Sequence, residues 1–124
     1  MLSLSHKNLE VYKIAMKLVS DIYRITQLFP KEEYYGLVSQ IRRAAVSVVS
    51  NIAEGASRTS KIEKKRFYEV ARGSVVEIDT QFEIASNLGY YKKDKETELN
   101  QGLESSFRML SKMIQNLKSS EKSL

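Results

Sequence analysis

Apolar side chains recur every three or four residues along almost the whole chain of 124 residues. This spacing places them on one face of a helix, as in amphipathic helices that bury one side. No stretch alternates apolar and polar residues long enough to predict a strand. The pattern therefore predicts an all-α protein. Its four helices are expected at about residues 8–28, 32–57, 61–88 and 95–118.

Few residues can interrupt these helices, since the chain has one proline and five glycines. Pro30 ends the first helix, because proline disfavours helical geometry in the residue before it. Ser60 and Glu63 fit a capping box that begins the third helix, and Gly89 marks its end. Short connections favour antiparallel neighbours. We therefore expect a single domain, residues 1–124, folded as an antiparallel up-down-up-down four-helix bundle.

The second predicted helix is unusual because most of its side chains are small. Its polar side chains share one face of the helix: Arg43, Ser47, Ser50, Asn51 and Glu54. A second stripe is apolar: Leu37, Ile41, Ala44, Val48 and Ile52. Small side chains with a polar seam predict close packing on more than one side of this helix.

Two glycines inside the later helices need a structural reason, since each costs about 1 kcal/mol against alanine. Gly73 lies between Ala71 and Ser74, which predicts a close backbone contact with the small-residue second helix. Gly102 is expected to make a similar contact from the fourth helix.

A polar network is predicted between the second and third helices. Its members are Arg43, Asn51, Glu54, Arg72 and Glu77. Charges between packed helices must be paired, because an unpaired buried charge is costly. The preferred interpretation is an interhelical or intersubunit network that fixes register, with Glu54 pairing to Arg72. A ligand contact, a nucleic-acid contact and a catalytic site remain as alternatives.

Composition narrows the class of protein. The apolar fraction of 42% and the charged fraction of 28% are typical of a soluble globular chain. The absence of cysteine excludes disulfides and thiolate chemistry. No secretion signal is visible, and no segment approaches the ~20 apolar residues of a membrane span. We expect a cytoplasmic protein with no membrane association.

The net charge of +5 makes a polyanionic partner plausible. An up-down bundle brings the start of the first helix, the second junction and the end of the fourth helix together. The cations expected there are Lys7, Arg58, Lys61, Lys64, Lys65, Arg66, Lys118 and Lys122, against Glu10, Glu63 and Glu121. Candidates for holding an RNA or DNA backbone are Arg58, Lys61, Lys64, Lys65 and Arg66. The alternative is a solvated basic end without a ligand.

The opposite end of the predicted bundle collects aromatic side chains. They are Phe29, Tyr34, Tyr35, Tyr90 and Tyr91. Tyrosines at such a position stack on bases in proteins that bind single strands. The alternative is that they fill the loop ends of the core or contact another subunit.

The sequence offers little for catalysis or metal binding. Its one histidine, His6, lies ahead of the first helix, so neither a Ser-His-Asp arrangement nor a di-iron site is expected. Glycine-rich phosphate loops are also missing. The sequence predicts no enzyme, no metal and no cofactor.

Three motifs carry a resemblance to a known family. They are Gln-x-Arg-Arg-Ala-Ala from Gln40, Ser-Asn-Ile-Ala-Glu-Gly from Ser50 and Ala-Arg-Gly-Ser from Ala71. With them the chain, from Tyr12 to Tyr90, closely resembles the four-helix-bundle proteins encoded in intervening sequences of bacterial 23S rRNA genes. The resemblance implies a ring-shaped homopentamer and no established enzymatic activity. It also extends to the accessory variability protein of diversity-generating retroelements, which works with a reverse transcriptase and its RNA.

The expected function is therefore that of a non-enzymatic homo-oligomer acting as a scaffold or a nucleic-acid-associated accessory. The alternative is a protein-interaction module with no nucleic-acid role. Replacing Lys61, Lys64, Lys65 and Arg66 with glutamate would separate the two, because only the nucleic-acid function predicts loss of RNA binding with assembly intact.

Overall fold

A computed structural model describes the backbone of residues 1–122 and the side chains of residues 1–118. The four α-helices are α1 (Glu10–Thr26), α2 (Leu37–Ser57), α3 (Lys61–Asn87) and α4 (Thr97–Lys122). Short 3-10 helices precede three of them, at Ser5–Asn8, Lys31–Glu33 and Lys93–Lys95. No strand occurs in the backbone from residue 1 to 122. The all-α prediction is confirmed.

Each helix packs against its neighbours in sequence, and α1 also packs against α4. The contacts run in opposite directions along α2 and α3. Ser47 meets Ser74, whereas Gly55, later in α2, lies against Tyr68, earlier in α3. The same reversal relates α1 to α4. The helices therefore form an antiparallel four-helix bundle.

The core runs along the centre of the bundle, and every helix contributes side chains to it. Its most deeply buried large side chains are Ile22, Ile41, Ile52, Ile78, Leu99, Leu110 and Ile114. The spacing of apolar residues places Val70 and Phe107 on the faces of the third and fourth helices predicted to be buried, but both side chains are exposed. In α4 the core position is taken by Ser106, which is fully buried, so the adjacent Phe107 points outward beside Arg72. Burial in the core does not follow side-chain size at this position.

The second helix begins at Leu37 rather than near residue 32. Residues Lys31–Glu33 form a 3-10 turn, and Gly36 has φ −109° and ψ −107°, outside the helical region. The Glu33 carboxylate then accepts a hydrogen bond from the Leu37 amide at 3.3 Å. An acidic side chain therefore caps α2 from outside the helix, where it satisfies an otherwise unpaired donor.

The other boundaries differ by a few residues from the predicted ones. The first helix ends at Thr26, ahead of the Phe29-Pro30 step, and α4 runs from Thr97 to Lys122 rather than 95–118. At the start of α3, Ser60 accepts a hydrogen bond from the Glu63 amide at 3.3 Å, as the capping box predicts. Gly89 follows α3 with φ +82°, a conformation that favours glycine.

The predicted close contact at Gly73 is wrong within one subunit. A Cβ at that position would meet no atom of the described structure within 4 Å. The close approach between α2 and α3 is at Gly55, where a Cβ would lie 2.6 Å from Tyr68 Cε1. At Gly102 a Cβ would lie 2.8 Å from Leu18 Cδ2, so this glycine does admit a close neighbour, from α1.

Candidate nucleic-acid interface

The junction between α2 and α3 carries the predicted basic residues, but their charges are not equally available. Arg58 pairs with Glu54 at 3.0 Å and with Glu63 at 3.7 Å. Its guanidinium also lies 5.0 Å from the centre of the Phe67 ring. Two carboxylates therefore offset the charge of this arginine, which helps to fix the junction.

Lys64 has a structural role at the same end. Its ammonium donates hydrogen bonds to the carbonyl oxygens of Ala56, at 3.0 Å, and Gly55, at 3.4 Å. These are carbonyls of the last turn of α2, where a cation interacts favourably with the helix dipole. The ammonium of Lys64 therefore caps the preceding helix and is only partly available to a ligand.

Lys65 and Arg66 remain open to an anion. Among the side chains of residues 1–118, no carboxylate forms an ion pair with either one. Arg66 is exposed and Lys65 is half-buried, while Lys61 is exposed in the first turn of α3. The side chains of Lys122 and Glu121, also predicted at this end, lie outside the described residues. We call Arg58, Lys61, Lys64, Lys65 and Arg66 the basic end.

Two serines that are not among the five predicted network residues link α2 to α3, and of those five only Asn51 joins them, by bonding to Ser47 within α2. The hydroxyls of Ser47 and Ser74 lie 2.9 Å apart. The Asn51 amide donates to the Ser47 carbonyl at 2.8 Å and to the Ser47 hydroxyl at 3.0 Å. Short side chains bridge the two helices here, consistent with their close approach.

The predicted pairing of Glu54 with Arg72 is wrong within one subunit. Glu54 pairs with Arg58 along its own helix. Arg72 donates to the Ser111 hydroxyl at 3.1 Å and lies against the Phe107 ring. Arg72 therefore faces α4 and not α2. The spacing of residues along α3 does not indicate which neighbouring helix Arg72 faces.

Arg43 and Glu77 are brought to the same depression between α2 and α3, with a volume of about 330 Å³. Neither side chain has an ion-pair partner among residues 1–118. The side-chain oxygen of Gln81, in the same depression, is buried without a hydrogen-bond partner in the described structure. This part of the seam between α2 and α3 is therefore left open among the described residues.

The aromatic side chains at the opposite end divide into two groups. Phe29, Tyr90 and Tyr91 pack at the end of the core, where the ring centres of Phe82 and Tyr91 lie 4.8 Å apart. Burial, and then the nearby charge of Glu96, raises the pKa of Tyr91 to about 12. These rings fill the core end. Tyr34 and Tyr35 are exposed.

Sequence reasoning missed the residues that accompany the exposed tyrosines. The Arg42 guanidinium lies 4.4 Å from the centre of the Tyr23 ring and 5.9 Å from that of Tyr34. Tyr23 belongs to α1 and Arg42 to α2, so no local spacing connects them. The only signal was the pair of adjacent arginines, of which Arg43 alone was assigned to the polar seam.

With this geometry established, comparison with known proteins identifies the family. The model of the 23S rRNA-intervening sequence protein family matches residues 7–112. This chain belongs to that family. No curated protein matches it. The family match includes the basic end, the seam between α2 and α3 and the exposed tyrosines, and it stops within α4.

The described part of this 23S rRNA-intervening sequence protein has no group of three or more His, Cys, Asp or Glu side chains placed to hold a metal ion. Nor does any helix within those residues combine the length and apolar character needed to cross a membrane. The chemistry available at the basic end is attraction and hydrogen bonding of anions by ammonium and guanidinium groups.

Proposed function

We propose that this family member is a cytoplasmic, non-enzymatic accessory or scaffold protein that associates with RNA or DNA through its basic end. The observation that carries the proposal is the position of Lys65 and Arg66. Both lie in the first two turns of α3, and neither is neutralised by a described carboxylate. A phosphate backbone binds such cations by releasing its counterions.

The local electrostatics also favour an anion. The N-terminus of α3 adds a partial positive charge to the basic end. Lys64 offsets the opposite charge at the C-terminus of α2 by binding its carbonyls. Among the acidic side chains near the basic end, Glu54 and Glu63 are both engaged with Arg58. A positive field is therefore left on the side of Lys65 and Arg66.

Self-association is the second part of the proposal, and the family resemblance suggests a homopentamer. The open seam between α2 and α3 supports it, because Arg43 and Glu77 carry opposite charges and face solvent unpaired in the described subunit. Gln81 adds a buried oxygen that lacks a donor. Another copy of the chain packing here would supply partners for all three. A ring would repeat the basic end around its axis and strengthen the field.

The nucleic-acid proposal is tested by reversing the two open charges, Lys65→Glu with Arg66→Glu. Lys64 is left unchanged because its loss would also uncap α2. Fluorescence anisotropy against a labelled RNA hairpin and a DNA duplex is measured from low to physiological salt. We expect the unsubstituted protein to bind, and the double variant to bind more weakly with a salt slope reduced by about two.

A matched control reverses two exposed lysines at the opposite end, Lys92→Glu with Lys95→Glu. This double variant has the same net charge as the test variant. If both variants lose binding equally, net charge alone governs the interaction and the basic end has no specific role. If the unsubstituted protein binds only at the lowest salt, the proposal is wrong.

The alternative function, a protein-interaction module, is favoured by one surface between α3 and α4. Val76 and Phe107 are exposed there beside a depression of about 490 Å³. Exposed apolar side chains rimmed by charges are typical of protein-binding surfaces. Failure of nucleic-acid binding, together with loss of a co-purifying protein in Phe107→Asp, would favour this function.

A further inference from the structure

A groove between α1 and α2 combines exposed tyrosine rings with two arginines. It has a volume of about 580 Å³ and is lined by side chains from the end of α1, the following turn and the first half of α2. Its defining residues are Tyr23, Tyr34, Tyr35, Arg42 and Arg43. We call it the tyrosine–arginine groove.

Arg42 is held in a fixed position in this groove. Its Nε donates to the Thr26 hydroxyl at 2.9 Å, and a terminal nitrogen donates to the Tyr23 carbonyl at 3.3 Å. Thr26 is itself buried and donates to the Ile22 carbonyl at 2.7 Å. A side chain tied to a buried partner loses little further freedom when a ligand binds.

The positive charge of Arg42 is not neutralised by these contacts. Both acceptors are neutral oxygens, and no carboxylate pairs with Arg42 among the side chains described. Arg43 lies one residue further along α2 and is exposed. The lining of the groove contains no acidic residue. The groove is therefore complementary to a negative charge.

The tyrosines supply flat ring surfaces next to this charge. Tyr35 is 92% exposed, and its one described ring contact is an edge-to-face packing on Tyr34 at 5.1 Å. Tyr34 is 54% exposed and leads into a second depression of about 270 Å³ that includes Lys31. Exposed rings beside cations are the pattern by which proteins hold unpaired bases and their phosphates.

We infer that the tyrosine–arginine groove binds unpaired nucleotides of single-stranded nucleic acid, with a base stacked on Tyr35 and a phosphate near Arg42. A duplex does not suit this arrangement, because its bases are already stacked on one another and their faces are covered. An acidic peptide would pair with the arginines of the groove, but its carboxylates would not stack on the exposed ring of Tyr35. The groove therefore favours a nucleotide over a peptide.

This site goes beyond the proposed function at the basic end and is separate from it. Arg43 and Ser57, the last residue of α2 and the neighbour of Arg58, are roughly 21 Å apart at about 1.5 Å per residue. Substitutions in one site therefore leave the other in place, and the two proposals fail independently.

The test compares Tyr35→Ala, Tyr35→Phe and a control, Phe107→Ala, which removes an exposed ring from α4. Anisotropy is measured with a labelled single-stranded oligouridylate and with an RNA duplex. Binding of the single strand should weaken by about fivefold or more in Tyr35→Ala. Tyr35→Phe keeps the ring and should bind as the unsubstituted protein does, as should Phe107→Ala. Duplex binding should not change in any of the three.

Intrinsic fluorescence gives a second readout, since the chain has seven tyrosines and no tryptophan. Stacking of a base on Tyr35 should quench part of the tyrosine emission in the unsubstituted protein. The quench should be smaller in Tyr35→Ala. Equal quenching in both proteins would contradict stacking at this residue.

Three outcomes would overturn the inference. In the first, Tyr35→Ala binds the single strand normally while reversal of Lys65 and Arg66 abolishes binding, which leaves the basic end as the site. In the second, polyglutamate displaces the oligouridylate and itself binds Tyr35→Ala normally, which makes the groove a simple anion surface. In the third, polyglutamate binding is itself lost in Tyr35→Ala, which assigns the groove to an acidic polypeptide. If Tyr35→Ala weakens binding of the single strand and reversal of Lys65 and Arg66 weakens binding of no nucleic acid tested, the groove is retained and the proposal at the basic end is wrong.

Discussion

The seam between α1 and α4 and the seam between α2 and α3 differ in whether their charged side chains are paired. Between α1 and α4, Lys17 pairs with Asp21 at 3.2 Å and with Glu98 at 2.7 Å, and Arg24 pairs with Glu96 at 3.3 Å. Between α2 and α3, the hydroxyls of Ser47 and Ser74 form a link, and Asn51 supports it from within α2 by bonding to Ser47. Arg43 and Glu77 stay unpaired there among the described residues.

The difference shows which seam has its charges paired among the described residues of the chain. Across the seam between α1 and α4, Lys17 and Arg24 are paired with Glu98 and Glu96. The seam between α2 and α3 brings together opposite charges and a buried oxygen of Gln81 but leaves each without a described partner. A protein surface that leaves such groups open is better suited to contact another molecule.

The glycines sharpen this comparison, and the largest effect is expected at Gly55. Gly55→Ala should lower the free energy of unfolding by about 1–2 kcal/mol, because a Cβ would lie 2.6 Å from the buried Tyr68 ring. Urea unfolding followed by circular dichroism measures the change. Unchanged stability would mean that α2 and α3 can separate at this point without cost.

A smaller and opposite effect is expected at Gly73. Gly73→Ala should raise the free energy of unfolding of the dilute subunit by about 0.5–1 kcal/mol, because alanine is the better helix former and a Cβ meets nothing nearby. If another copy packs on this surface, the same variant should weaken association in sedimentation experiments. Stabilisation with unchanged association would place any subunit contact elsewhere.

The smallest effect concerns the seam between α1 and α4. The hydrogen bond from Lys17 lowers the pKa of the Glu98 carboxyl below its ordinary value of 4.5. The folded protein therefore binds that proton less tightly than the unfolded chain does. The stability from this pair is complete above the ordinary value and is lost as pH falls through the lowered pKa.

Glu98→Gln should therefore be slightly less stable than the unsubstituted protein at neutral pH, and this difference should disappear at low pH and at high salt. Thermal unfolding at several pH values measures it. Glu104→Gln is the control, since its pair with Arg108 is longer, at 3.8 Å, and lies within α4. Equal effects of the two substitutions would mean that the seam between α1 and α4 is not held by its charges.

Sequence reasoning was most reliable where the pattern is local. The helical period identified four helices and most of the core, and the capping box at Ser60 marked the start of α3. It was wrong for Phe107, because a spacing of three or four residues does not say whether Phe107 or Ser106 occupies the core position. Rotation of a helix about its own axis is decided by packing against its neighbours.

The candidate sites show the same limit. All five basic residues do lie on the junction between α2 and α3 and the first turns of α3, because adjacency in sequence determines that. Which of them remain open was not predictable. It depends on Glu63 reaching Arg58 and on Lys64 reaching the carbonyl of Ala56. The number of basic residues in a segment therefore overstates the positive charge that is available to a ligand, because some of those residues are engaged by other groups of the protein.

The sequence by itself determined the four helices, their antiparallel order and the family, since these follow from local periodicity, short connections and motifs. Only the tertiary structure decided which side chains meet across helices. Arg72 turns to Ser111 rather than to Glu54, and Arg42 reaches Tyr23 across nineteen residues of sequence. Such contacts depend on the rotation of each helix about its axis and on its offset along that axis. Packing of the whole core determines both.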